Sequence, residues 1–193
     1  MDDISYKLFA AKDVARILGI NANMLFHWIQ TKRLVKPTIV GQGRGKRNYF
    51  SLEDLSTLGI VKALNALNVD LYRIRYIVDR IICAKPTLIT EVKINSDGSI
   101  SLVDRKGAAV PNTGEGNLNI WQIYKKGKEL FDKRGFVVRV WNGLDPVITV
   151  PYLSTNGETP LFPERKTGVY AGMLGINVLG VIEEIEKRTG LEL

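Results

Sequence analysis

The chain has 193 residues, of which 45% are hydrophobic and 24% charged, the balance of a folded chain and not of a disordered one. No apolar run approaches the ~18–20 residues that span a bilayer, and a single cysteine, Cys83, excludes both an intrachain disulfide framework and a zinc site built on several thiolates. The net charge of +7 is unevenly spread: residues 1–82 hold 13 Lys/Arg against 7 Asp/Glu, whereas 83–193 hold 14 against 13, so the basic half points to a polyanionic partner.

Residues 11–19 predict a short helix, with Val14, Ile17 and Leu18 at i, i+3 and i+4 and Gly19 suited to its C-terminal cap. Asn21 is a good N-cap for a second helix over 22–31, whose apolar face is Leu25, Trp28 and Ile29. Two short helices joined by Gly19-Ile20-Asn21 have the spacing of a helix-turn-helix. The segment 32–50 then carries six basic residues (Lys32, Arg33, Lys36, Arg44, Lys46 and Arg47) and no acid. Its centre, Gly41-Gln42-Gly43-Arg44-Gly45-Lys46-Arg47, reads as a hairpin tip between strands at Thr38-Ile39-Val40 and Asn48-Tyr49-Phe50. Ser51-Leu52-Glu53-Asp54 is a capping-box pattern opening a third helix to about Asn68, and Asp70 caps a fourth over 71–83, ended by Pro86.

The second half changes character. Glu91–Ile94 and Ser99–Val103 predict a β-hairpin around Asn95-Ser96-Asp97-Gly98, and 107–117 reads as a loop. Ile120, Ile123, Tyr124, Gly127, Leu130 and Phe131 predict a helix over 118–134 that closes near Gly135. Strands follow at Phe136–Trp141 and Val147–Val150, then a turn-rich stretch at 152–168 and a last amphipathic helix over 177–189. The fold class is therefore α+β: a winged helix-turn-helix, mainly α with a two-stranded wing, at 1–82, followed by a small α+β domain at 83–193.

The residue chemistry fits double-stranded DNA. The second helix is of a size to enter a major groove ~12 Å wide, where Asn and Gln pair with adenine edges and apolar tips touch thymine methyls. Its outward positions are Asn23, Met24, Phe26, His27 and Gln30. The candidate contacts are Lys12, Asn21, Asn23, Met24, His27, Gln30, Lys32, Arg33, Lys36, Arg44, Lys46, Arg47 and Tyr49, the wing cations supplying phosphate or minor-groove contacts. Trp28 reads as core. His27 is the chain's single histidine, so neither a metal centre nor a Ser-His-Asp triad is expected. Gly41-x-Gly43-x-Gly45 lacks dinucleotide-fingerprint spacing, and no catalytic pair stands out, so neither an enzyme nor a cofactor is expected. Cys83 reads as a buried structural thiol of a reducing cytoplasm, and Met1-Asp2-Asp3-Ile4 lacks the apolar stretch of a secretory signal.

The ordered set Asp13-Val14-Ala15, Leu18-Gly19-Ile20, Leu25 with Trp28, Leu34-Val35-Lys36-Pro37, the Gly/Arg wing, Arg47-Asn48-Tyr49-Phe50-Ser51 and Glu53-Asp54-Leu55 resembles the MerR-type transcriptional regulators. Leu67-Asn68-Val69-Asp70-Leu71 followed by Ile74 is similar to that family's link between its third and fourth helices, and the likeness covers about residues 8–82. The family often has Arg where this chain has Phe26, and Tyr where it has His27 and Trp28. The resemblance implies a cytoplasmic, nucleoid-associated, DNA-binding homodimer that acts by distorting a promoter with over-long spacing. Pro86 blocks the long dimer helix of many relatives, which leaves 118–134 or 177–189 as the expected dimer contact. A small-molecule or protein effector falls to 83–193, where Trp121, Tyr124, Trp141 and Tyr152 are core or pocket candidates. The alternative function is an antitoxin-like protein that masks a partner and represses its own promoter.

Overall fold

The computed structural model describes residues 7–41, 47–79, 89–94, 100–104, 106–110, 120–134, 137–141, 147–149 and 173–192. They fall into two units, Met1–Val78 with Val181–Leu193, and Asp79–Gly180. This differs from a single cut after residue 82, because the last turns of the chain return to the first unit.

In the first unit, β1 (Phe9–Ala10) runs into α1 (Ala11–Leu18). Val14, Ala15, Ile17 and Leu18 bury one face of α1. The helix ends in paired closing bonds, Ile20 N–H to Ala15 O at 3.0 Å and Gly19 N–H to Arg16 O at 3.2 Å. Gly19 sits at φ 63°, the left-handed conformation this closure requires and a side chain resists. Asn21 Oδ1 then accepts the Met24 N–H at 2.7 Å and starts α2 (Ala22–Phe26). The expected helix over 22–31 continues, but its second half, His27–Thr31, widens into a π-helical turn that Lys32 N–H to His27 O closes at 2.9 Å. Leu25, Trp28 and Ile29 are buried. Leu34 N–H bonds Trp28 O, with Arg33 at φ 51° in the place usually given to glycine.

The wing strand expected at Thr38-Ile39-Val40 is reduced to one bridge, in which Ile39 and Tyr49 exchange both backbone bonds. β2 (Tyr49–Phe50) pairs its other edge with β1, Phe9 opposite Phe50 and Ala10 opposite Tyr49. The N-terminal residues thus supply part of the ladder assigned from sequence to the wing. α3 (Leu52–Ala66) is the centre of this unit: Leu55, Leu58, Ile60, Val61 and Leu64 are all fully buried. α4 (Leu71–Ile77), capped by Asp70, adds Ile74 and Ile77.

In the second unit, β3 (Ile89–Ile94), β4 (Ile100–Asp104) and β5 (Ala109–Val110) form an antiparallel sheet in that order. β5 lies inside the stretch read as a loop. α5 (Ile120–Arg134) packs on β3 and buries Ile120, Trp121, Ile123 and Tyr124, so these two aromatics are core. A second antiparallel sheet has the order β7-β6-β8, with β6 at Val137–Trp141, β7 at Val147–Thr149 and β8 at Met173–Asn177. Sequence reading placed no strand at β8. The run Met-Leu-Gly-Ile-Asn has no alternation, and Gly175 sits in its middle opposite Arg139.

β8 leads into α6 (Val178–Thr189), whose Gly180 N–H bonds Asn177 Oδ1 at 3.2 Å. From Val181 onward α6 belongs to the first unit, where Ile185 and Val181 lie over Gly59 of α3. Ile182 and Ile185 of α6 are buried. No described helix is long and apolar enough to cross a membrane.

Candidate nucleic-acid interface

The helix-turn-helix is held rigid at its turn. Two cations reach the C-terminal carbonyls of α1: Lys62 Nζ donates to Leu18 O at 2.6 Å, and the Arg188 guanidinium of α6 donates to Ile17 O. Both oppose the partial negative charge of the helix end. The turn that aims α2 is thus braced from α3 and from the far end of the chain.

Leu25, Trp28 and Ile29 anchor the second helix, which leaves the opposite side outward. Asn23 and Gln30 are exposed, while Met24 and His27 are half-buried. Phe26, omitted from the sequence-based contacts, is 63% exposed. Asn21 is exposed, but its Oδ1 is committed to the cap. Lys32, Arg33 and Lys36 follow as exposed cations, and Arg75 of α4 donates to Lys32 O at 3.4 Å, tying this corner to the fourth helix. Lys12 is exposed on α1.

The base of the wing is fastened by one carboxylate oxygen. Asp54 Oδ2 accepts from Ser51 N–H at 3.0 Å, closing the capping box, and also from Thr38 N–H at 3.0 Å and Thr38 Oγ1 at 2.5 Å. Asn48 Oδ1 accepts from Gly41 N–H at 2.9 Å and draws the two sides of the neck together. Beyond the neck, Arg47 is exposed, and Tyr49 is half-buried with its backbone in the ladder. Arg44 and Lys46 lie outside the described residues, as does Cys83. The capping box was legible in sequence; the second use of Asp54, the neck bond and the brace from Arg188 were not.

Helix, braced turn, second helix with a polar outward side, the neck of the expected wing and capped third helix therefore succeed one another in one unit, while the expected hairpin tip at 42–46 lies outside the described residues. Residues 9–81 match the family model described as MerR HTH family regulatory protein. The N-terminal part of this chain is a MerR-type helix-turn-helix domain. No curated protein matches the chain. MerR-type domains belong to DNA-binding transcriptional regulators, not to enzymes. The matched residues stop short of β3, and the return of α6 to the MerR-type domain adds a helix outside the match.

Proposed function

We propose that the chain is a sequence-specific transcription regulator that binds double-stranded DNA as a homodimer, with 22–31 in the major groove and the wing, 38–50, on the backbone or minor groove. The observation that carries this reading is the exposure of Asn23 and Gln30 on the side of the second helix opposite Leu25 and Trp28. Their amides match adenine edges. Around them, Lys12, Lys32, Arg33, Lys36 and Arg47 are exposed and suited to phosphate, with Arg44 and Lys46 as further wing cations by sequence. Asn21, Met24, His27 and Tyr49 are secondary contacts at the edges of this surface.

Dimerisation follows from recognition economy. One such module buries only ~600–1,000 Å² on DNA, and specific sites are usually read twice, about one helical turn apart. The residues between α4 and α6 are assigned to effector binding. Selection of bound duplexes from a random pool tests the reading: enriched sites are expected to carry two related half-sites, and sedimentation to show a dimer. A pool that stays random would sink sequence specificity, and a monomer on a single half-site would sink the dimer.

A further inference from the structure

Asn23 and Phe26 stand at i and i+3 in α2, and Gln30 follows in the π-helical turn; all three are exposed, an outward row with His27 half-buried beside it. Leu25, Trp28 and Ile29 occupy the buried side. Phe26 is thus an aromatic ring flanked in its row by two amides, each of the kind that reads adenine. Of the large apolar side chains exposed among the described residues, it is the one on this helix. Single exposed apolar residues are ordinary, but this ring lies in the row offered to the partner. The surroundings specify the partner's chemistry: six basic residues and no acid follow over 32–50, with Lys32, Arg33, Lys36 and Arg47 exposed. A polyanion with an apolar group recessed between its charges fits this combination. Duplex DNA presents such a group in its major groove, the thymine C5-methyl.

We propose that Phe26 is a specificity residue that packs on a thymine methyl beside the base read by Asn23. The inference rests on the reading that this helix enters the major groove. An amide on adenine and a ring on a neighbouring thymine together select an A/T-containing step at the centre of each half-site. The ring adds no charge contact, so it contributes to sequence choice and leaves the electrostatic part of binding unchanged.

The test uses the full chain and a site selected from a random pool. Each thymine of one half-site is replaced in turn by deoxyuridine, which removes only the methyl. Wild type is expected to lose about fourfold in affinity at one of these positions, the worth of one buried methyl-sized group. Phe26→Ala is expected to bind thymine and uracil equally there, with an unchanged salt slope, and Phe26→Leu to restore part of the discrimination. Because the side chain is exposed, these variants keep the fold, checked by thermal unfolding. An enriched site at which wild type ignores every thymine-to-uracil change overturns the role of Phe26 and leaves the groove reading standing. A pool with no enrichment overturns both. A Phe26→Ala variant that changes oligomeric state while keeping its DNA preferences assigns the ring to a protein contact and also overturns the proposal.

Discussion

Gly59 of α3 lies so close beneath Ile185 of α6 that a Cβ on residue 59 would stand 2.8 Å from Ile185 Cδ1. Val181 Cγ1 is equally close, at 2.8 Å. The glycine is therefore a seat for the C-terminal helix, in the middle of the helix that centres the DNA-binding unit. In an ordinary helix interior, Gly→Ala stabilises by about 1 kcal/mol. Here Gly59→Ala is expected to reverse the sign and destabilise by about 1 kcal/mol, since the stiff Val181 has to yield. Gly59→Leu is expected to cost about 3 kcal/mol by displacing α6. Urea unfolding of the full chain measures both, and Val181→Ala is expected to rescue Gly59→Ala. Additive effects at residues 59 and 181 would show that the two helices do not meet in this way.

Asp54 couples two elements through one oxygen, so its loss is expected to be felt twice. Asp54→Ala removes the carboxylate half of the capping box, leaving Ser51 Oγ on the residue-54 N–H, and removes the anchor of Thr38, for a destabilisation of about 1–2 kcal/mol. Asp54→Asn keeps an acceptor and is expected to retain part of the loss. Thermal unfolding gives the stability. Amide exchange at Thr38 gives the wing, which is expected to lose protection in Asp54→Ala beyond the change in global stability.

Arg33 carries opposite loads in folding and in binding. Its φ of 51° is costly for a residue with a Cβ, so Arg33→Gly is expected to stabilise the chain by about 0.5–1 kcal/mol. The same change removes an exposed cation next to the second helix. DNA affinity is therefore expected to fall while stability rises, with the log–log salt dependence flatter by about one unit. A loss of both together would mean that the Arg33 side chain stabilises the fold through its own contacts.

Arg47 and Asn23 are expected to separate affinity from specificity. Arg47→Ala removes one cation on the wing and should weaken binding uniformly across sequences, flattening the salt slope by about one unit. Asn23→Ala should cost about 1–3 kcal/mol on the selected site, much less on random DNA, and leave the salt slope intact. Binding titrations on both DNAs at two or more salt concentrations distinguish the outcomes. Equal losses on the two DNAs for Asn23→Ala would move base recognition to another element.

The sequence by itself determined what is local. Gly19 at the end of one amphipathic stretch, Asn21 at the start of the next, and Ser51 three residues before Asp54 each act within a single turn of chain, so their roles followed from spacing alone. The inward side of the second helix was legible for the same reason. Tertiary structure decided what depends on partners distant in the chain. β2 took Phe9 and Ala10 as neighbours, Asp54 acquired Thr38, and Arg188 reached Ile17 O across 171 positions of sequence. A periodic pattern reports that a face is apolar and is silent on what covers it, and only the fold shows that α6 lies over Gly59. Gly59 stands inside α3, and only the approach of Ile185 explains why the smallest residue is needed there. Local hydrogen bonding writes itself into neighbouring residues; packing is decided by shape between segments, and shape exists only once the chain has folded.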